Sequence, residues 1–511
     1  MIKFFLSKKN TQLFKKLLQN LCSGILSLTN YFKTLLSENL ENSNMKTNSL
    51  SSFFTGKFFI QAICSFVISF FLLLQGCNKD FKTNLVSSAE GEELLAGNKT
   101  KNILILFSDD VGYEVPTCDG GQSYATPNID LLAAGGKRFT RCYASPKCSP
   151  SRQMLLTGQY SFRNYTDWGH MSTDNKTFAN MFKDAGFATC YSGKWQLDGG
   201  DYAIHTFGFD KYAVWQPFNV SAEDEGNRYK GASIYQDGSY LPEPVTRNKY
   251  SEDEFATYLL RFIDSADNLN KPFFAFYSMI NCHSPFQPTP DDPEYDTWDT
   301  TKSDKKFFPS MVKYHDKKIG EIIAHMDSAG LLENTMIFYF GDNGTNAQIV
   351  SQFNDFSVKG GKATTTEPGT NVPLIVYQRG KITAGTTSDA LIDFTDFFPT
   401  LSKIAGLGRI TGYGIKDGVS FDQAILSDND SIRSTIYDSY STDPAKKPFI
   451  RWAQNAQYKL YDTVAGTPQL GQFVKIEQGK TDSAPLPDSV LTRQEKQLKK
   501  NMLKVLRKYN P

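Results

Sequence analysis

Five short apolar runs, at residues 102–107, 187–191, 272–279, 335–340 and 372–377, constrain the fold of this 511-residue chain more than any other feature. They are apolar at consecutive positions and not at alternate ones, which is the pattern of strands covered on both faces. Helical patterns lie between them. Thr126-Pro127 supplies an N-cap and an N1 proline for a helix closed by Gly135. Residues 174–186 place Phe178, Met181, Phe182 and Ala185 at helical spacing, and 310–330 and 395–406 predict two further helices. Strands and helices in alternation predict an α/β domain over residues 100–430, built on a large, mostly parallel sheet flanked by helices. Beyond it the texture changes. Residues 434–440, 449–453, 458–462 and 473–477 read as short strands, followed by a charged helix at 492–509. A smaller antiparallel sheet plus helix, an α+β subdomain over 431–511, is expected there.

Two of the apolar runs end in the same chemistry. Residues 102–108 lead straight into Asp109-Asp110, and 335–341 lead into Asp342-Asn343-Gly344. Parallel sheets bind ligands at the carboxyl ends of their strands. Three carboxylates and an amide gathered at such ends repel one another unless a cation neutralises them. Donor sets made only of oxygen select a hard ion. Asp109, Asp110, Asp342 and Asn343 are therefore candidate ligands for Ca2+ or Mg2+. Taken alone, Asp-Asn-Gly is an ordinary turn former.

The N-terminal region carries no such chemistry. Residues 58–75 form an apolar run behind Lys46 and Lys57, ending in Leu74-Gln75-Gly76-Cys77. This resembles a bacterial lipoprotein signal, which implies cleavage before Cys77, lipidation of that cysteine, and a periplasmic or cell-surface protein anchored to the membrane. A retained signal anchor is the alternative. Residues 1–76 are read as an N-terminal extension and signal peptide, with Met45 a plausible start, and 77–99 as a tether. The net charge of +1 depends on this region. Residues 77–511 carry 47 basic and 52 acidic side chains, so no global charge points to nucleic acid. An anionic substrate must be attracted by a local basic pocket. Cys118, Cys142, Cys190 and Cys282 have no metal-type spacing, and any pairing among them is left open.

The remaining motif is Cys148-Ser149-Pro150-Ser151-Arg152, continued by Leu155-Leu156-Thr157-Gly158. It resembles the signature of the formylglycine-dependent sulfatases, within the alkaline phosphatase-like superfamily. The resemblance implies that a sulfatase-maturating enzyme oxidises Cys148 to formylglycine, whose hydrate is the nucleophile. Asp109, Asp110, Asp342 and Asn343 match the family's divalent-cation ligands, and Arg152 matches the arginine that pins the modified side chain. Ser192-Gly193-Lys194-Trp195-Gln196-Leu197 resembles the family's Gly-Lys-Trp-His-Leu-Gly segment, so Lys194 maps onto a sulfate-contacting lysine. Gln196 stands where the family has histidine. Glutamine exchanges no proton near neutral pH, so regeneration of the aldehyde is the step this departure affects. Asn281-Cys282-His283-Ser284-Pro285-Phe286 resembles the His-x-Pro-Phe segment, which makes His283 the acid for the leaving alcohol. Gly360-Gly361-Lys362 places Lys362 as the second sulfate-contacting lysine, with Lys359 the residue a shifted register would choose.

The resemblance implies a sulfuric ester hydrolase, and its setting implies a sulfated polysaccharide or oligosaccharide as substrate. Substrate-binding residues would be Lys194, Gln196, His283 and Lys362, with specificity in the loops 215–250 and 287–308. Two rivals remain at this stage. One is a phosphonate or phosphodiester hydrolase using the same aldehyde. The other is a non-catalytic glycan-binding lipoprotein, which Gln196 would favour.

Overall fold

A computed structural model of the chain describes residues 100–511 apart from 221–225, 409–410, 446, 464–468, 478–480 and 510–511. The signal segment, Cys77 and the tether lie outside the described residues. The first strands in chain order are β1 (Asn102–Ser108), β2 (Lys137–Tyr143), β3 (Ala188–Lys194), β4 (Lys211–Trp215), β5 (Tyr235–Gln236) and β6 (Ser239–Tyr240). They are followed by β7 (Phe273–Ser278), β8 (Thr335–Gly341), β9 (Val350–Phe353), β10 (Phe356–Lys359), β11 (Asn371–Tyr377), β12 (Thr386–Ser388) and β13 (Ile392–Asp393). Eleven of these make one sheet in the order β12-β2-β11-β8-β1-β7-β3-β4-β5-β6, with β13 also on β2, while β9 and β10 form a separate hairpin. Its centre, β8-β1-β7-β3-β4, is parallel, and β11 runs antiparallel to both neighbours.

Coverage of both faces is visible within β1. Ile103, Ile105 and Phe107 enter one hydrophobic cluster, whereas Leu104 and Leu106 enter the other. On the first face pack α2 (Cys148–Thr157), α3 (Phe178–Asp184) and α6 (Phe397–Ile404). On the second pack α1 (Pro127–Gly135), α4 (Ser251–Asn268) and α5 (Phe308–Ser328). Truncating a Phe in either cluster to Ala would cost about 3–5 kcal/mol, because close-packed interiors do not collapse onto the void.

Two expected helices are shorter than their periodicity suggests. The helix expected at 174–186 starts at Phe178, because Thr177 and Asn180 close a capping box there. The helix expected at 395–406 starts at Phe397, after a single 3₁₀ turn capped by Asp393. Strand β3 runs beyond its apolar run to include Lys194 itself. Strand β2, of sequence Lys-Arg-Phe-Thr-Arg-Cys-Tyr, has no apolar run at all. Its Lys137 is buried and donates to the carbonyls of Ala424 and Ser427 at 3.0 and 2.8 Å.

The C-terminal strands β14 (Ile436–Tyr440), β15 (Ile450–Gln454), β16 (Tyr458–Tyr461) and β17 (Phe473–Lys475) form an antiparallel four-stranded sheet in sequential order. Helix α7 (Arg493–Lys508) follows, started by a capping box between Thr492 and Glu495. Its Met502 and Leu506 join the first hydrophobic cluster. Among the described residues no helix is long and apolar enough to cross a membrane.

Helix α4 fixes one wall of the future site. Its buried Glu252 accepts hydrogen bonds from the Tyr277 hydroxyl at 2.9 Å and from the backbone N–H groups of Ile280 and Asn281 at 3.1 and 3.2 Å. Burial raises its pKa from 4.5 to about 7, despite those donors. The folded state thus retains a proton that the unfolded chain releases at lower pH, so stability falls as pH rises from about 4.5 through 7. The expected contribution is roughly 3 kcal/mol. Glu252→Gln should remove that loss, so urea unfolding at pH 5 and pH 8 should show the variant gaining on the parent chain as pH rises. A constant difference across the two pH values would contradict it.

Candidate active site

The site grows out of the pairing of β1 with β8. Their parallel register brings Ser108 opposite Gly341, so the residues that follow, Asp109-Asp110 and Asp342-Asn343, leave the sheet side by side. Asp110 turns through the left-handed region at φ 59°, a conformation that aspartate tolerates better than bulkier residues. Its backbone N–H donates to Asp342 Oδ1 at 3.0 Å, and Asn343 Nδ2 donates to Asp110 Oδ1 at 2.8 Å. All four side chains are fully buried.

Three basic side chains close on these carboxylates. Lys194, at the end of β3, donates to Asp109 Oδ2 at 2.8 Å, with both side chains fully buried. Lys362 reaches Asp110 at 2.6 Å. Arg152 stands 3.4 Å from Asp342 and also donates to the Lys194 carbonyl, the Tyr191 hydroxyl and Ser278 Oγ at 3.0, 3.2 and 2.5 Å. It also lies against the Phe107 ring, 5.1 Å from its centroid. Strand β3 can approach β7 here because residue 193 is glycine. A Cβ at that position would lie 1.9 Å from the Ser278 carbonyl oxygen. His283, after β7, points Nε2 at Asp110 Oδ2 from 3.8 Å.

Arg228, which no sequence motif singled out, sits behind His283. It stacks on Trp215 at 4.3 Å, donates to the Ser284 carbonyl at 2.6 Å and contacts His283 Nδ1. His283 Nδ1 also contacts the Ser284 carbonyl, so the ring is held from behind by both groups while Nε2 faces the carboxylates. Burial, then the charges of Arg228 and Lys362, push the imidazole well below its usual range.

Cys148 is the first residue of α2, at the positive end of a ten-residue helix. It is 1% exposed. The Lys362 loop is tied to this helix and to the metal-ligand turn, since Ala363 N–H donates to the Pro146 carbonyl and Lys362 N–H to the Thr345 carbonyl, at 2.8 and 3.0 Å. Lys359 lies exposed on β10, so Lys362 is the lysine that enters the site. Gln196 follows β3 at φ 55°. Its Oε1 is buried without a hydrogen-bond partner among the described residues. Cys118, Cys142, Cys148, Cys190 and Cys282 are all unpaired thiols.

The donor set suits a hard cation. Asp109 Oδ1 and Asn343 Oδ1 are buried with no hydrogen-bond partner among the described residues. Ligand atoms of Asp109, Asp110 and His283 lie within 4.8 Å of one another. Burial and the Asp109 charge raise Asp342 to about 8, and burial raises Asp110 as well. Burial also works to raise Asp109, but Lys194 and its neighbouring cations prevail and hold it below the ordinary carboxylate range. Lys194, Lys362 and Arg152 balance the three carboxylates, and the two unpartnered oxygens, Asp109 Oδ1 and Asn343 Oδ1, are what a divalent ion would satisfy.

A hydrolase class follows from the fold and the site together: a parallel sheet with a charged cluster at its strand ends and a cysteine at a helix N-terminus. The comparisons agree. The sulfatase family profile matches residues 101–407. The chain is 30% identical over 383 residues to N-acetylgalactosamine-6-sulfatase of Canis lupus familiaris, covering 69% of this chain and 71% of that protein. It is 27% identical over 405 residues to arylsulfatase A of Bos taurus, covering 73% and 77%. The crystal structure of Ps i-CgsB in complex with k-i-k-neocarrahexaose superposes with a TM-score of 0.66 at 23% identity, over 80% of this chain and 92% of that one. The chain belongs to the sulfatase family, within the alkaline phosphatase-like superfamily, and is a sulfuric ester hydrolase.

Calcium should therefore raise the Tm of the purified protein and EDTA should lower it. At a hundredfold excess over Kd the gain is about 2.7 kcal/mol. Asn343→Ala, which deletes an unpaired ligand oxygen, should shrink the calcium-dependent gain. A Tm indifferent to calcium, magnesium and EDTA alike would tell against a metal at these strand ends.

Proposed function

We propose that this protein is a formylglycine-dependent carbohydrate sulfatase that removes sulfate from a sulfated polysaccharide or oligosaccharide with the help of Ca2+. The observation that carries this reading is the placement of Cys148 at the first turn of α2, on the helix whose Arg152 reaches the Asp342 carboxylate. The relatives support the substrate class, one being an N-acetylgalactosamine-6-sulfatase and one structural neighbour having a neocarrahexaose bound.

The chemistry divides among the chain's own groups. Asp109, Asp110, Asp342 and Asn343 would hold the calcium, which supplies charge to neutralise the carboxylates and to draw electron density from a sulfate oxygen. Formylglycine at position 148 would supply, as its hydrate, the hydroxyl oxygen that attacks sulfur and a second hydroxyl whose deprotonation releases sulfate. Arg152 fixes the position of that side chain, and the α2 N-terminus stabilises negative charge developing there. Lys194 and Lys362 now pair with Asp109 and Asp110. They are placed to turn toward the sulfate oxygens once a cation satisfies those carboxylates. Such preorganised donors contribute about 10²–10³-fold each to kcat. His283 turns Nε2 toward the cluster, with Arg228 and the Ser284 carbonyl behind Nδ1, and would act on the leaving oxygen from there. Gln196 can hydrogen-bond the hydrate but cannot accept its proton, so aldehyde regeneration depends on another base or on solvent.

The test is the mass of the peptide containing residue 148, from protein produced with a sulfatase-maturating enzyme. Formylglycine there, and loss of turnover in Cys148→Ala, are expected. Unmodified cysteine alongside a converted control sulfatase would favour a glycan-binding protein without turnover. His283→Ala should slow sugar sulfates by about 10²–10⁴-fold and activated aryl sulfates far less. Equal losses would remove His283 from the leaving-group role. Faster turnover of phosphonate than of sulfate esters would favour the phosphonate hydrolase reading.

We infer that the mature protein is an exported lipoprotein, periplasmic or at the cell surface, anchored through Cys77. The basis is the apolar run at 58–75 ending at Leu74-Gln75-Gly76-Cys77. Full-length protein made in bacteria should partition into the detergent phase of Triton X-114, and Cys77→Ser should move it to the aqueous phase. Detergent partitioning that survives Cys77→Ser would instead indicate a retained signal anchor.

A further inference from the structure

Helix α7 presents a charge pattern that the catalytic site does not use. Arg493, Lys496, Lys500, Lys504 and Arg507 recur three or four residues apart, so they form one stripe, and Lys508 widens its last turn. All six are exposed. None is ion-paired with a described acid. Lys508 donates to the neighbouring Tyr509 hydroxyl at 3.1 Å. The helix's one acid, Glu495, closes the N-terminal capping box and accepts from Tyr458 at 2.7 Å. Its seventh cation, Lys499, pairs with Asp488 at 2.7 Å.

Local physics disfavours this pattern. Like charges at i,i+4 destabilise a helix by about 0.2–0.5 kcal/mol per pair. Lys496–Lys500, Lys500–Lys504 and Lys504–Lys508 are three such pairs in sequence. The helix dipole accounts for cations in the last turn, Arg507 and Lys508, but not for Arg493 and Lys496 near the positive end. The pattern also runs against the rest of the chain. With α7 set aside, residues 77–511 have 40 basic side chains against 51 acidic ones.

We propose that the exposed stripe of α7 is an exosite for the sulfated glycan chain itself, binding unprocessed stretches of the polyanion away from the catalytic pocket. This rests on the carbohydrate-sulfatase reading and extends it. The choice of occupant follows from charge and shape. The stripe is linear and about 22 Å long, from fifteen residues at 1.5 Å rise, which suits a linear polyanion. A helix that lies in a membrane inserts its apolar face, whereas Met502 and Leu506 are already buried in the protein core. Binding by charge density has a kinetic consequence. Each sulfate removed weakens the hold on the chain, so spent product leaves and sulfated chain replaces it.

The matured protein and its Lys496→Gln/Lys500→Gln/Lys504→Gln/Arg507→Gln variant would be compared on immobilised heparin, on vesicles of phosphatidylcholine with one-fifth phosphatidylserine, and with 4-nitrophenyl sulfate. The parent protein should be held on heparin and released by salt. The variant should release at markedly lower salt, and its slope of log affinity against log salt should fall by about three to four, near one per charge removed. A triple Arg variant, Lys496→Arg/Lys500→Arg/Lys504→Arg, with Arg507 kept, should be held like the parent. Equal release of the Gln variant and the parent would overturn the exosite, as would retention on vesicles but not on heparin. The small ester separates the two readings. Its turnover should be unchanged in the Gln variant, whereas its loss in the parent protein itself would count against the sulfatase reading and not against the stripe.

Discussion

Two parallel strands that end in acids set a charge problem that the rest of this molecule answers. Asp109, Asp110 and Asp342 are fully buried, and the dry pocket raises two of the three carboxylates. Buried ions are tolerated only when compensated, since each uncompensated charge costs several kcal/mol. Lys194, Lys362 and Arg152 supply that compensation from β3, the loop after β10 and α2. The proposed sulfate-binding lysines are among the same cations that balance the carboxylates here. On the proposed reading, a divalent ion at the strand ends would free those cations for sulfate, which would couple the two binding steps in one electrostatic exchange.

The C-terminal sheet takes part in this balance through the loop that carries Lys362. Glu367, at the end of that loop, is buried among Tyr143 of β2, Asn371 of β11 and Gln454 of β15, which donate to its carboxylate. Lys459 of β16, fully buried, donates to the Thr365 carbonyl at 2.7 Å and pairs with Asp482 at 3.3 Å. Such a network, with each charge partnered, rigidifies what it touches. The small sheet is thus the outer support of a catalytic loop. That accounts for a lysine with no exposure, Lys459, in so short a strand.

Sequence sufficed where chemistry followed directly from chain direction. The apolar runs before Asp109 and Asp342 announce buried strands, and parallel pairing of such strands necessarily brings their ends together. The sequence could not reveal which neighbours those strands take. Strand β2 escaped because charged residues interrupt it at Lys137, Arg138 and Arg141, and its buried Lys137 is satisfied by carbonyls nearly three hundred positions away. Arg228 escaped for a similar reason. It touches His283 only because the fold brings residue 228 beside a loop 55 positions further along. A motif reads contacts fixed by local spacing, and both of these contacts are fixed by tertiary structure.

Gln196 is where local sequence and global arrangement pull apart. Its Oε1 is buried without a partner, which ordinarily costs about 1–3 kcal/mol. A chain that had abandoned turnover would be relieved of such costs. It would also be free to replace Arg152 and Lys194 with apolar residues, which often leaves stability unchanged or improved. Instead Arg152 keeps its four polar partners and Lys194 its buried ion pair. An unsatisfied amide oxygen beside an intact charged cluster fits a group that waits for a ligand, which on the proposed reading would be the hydroxyls of a hydrated aldehyde. On that reading the departure from the family's histidine would alter how one proton leaves the site, while sulfate binding and attack on sulfur would rest on groups that this chain retains.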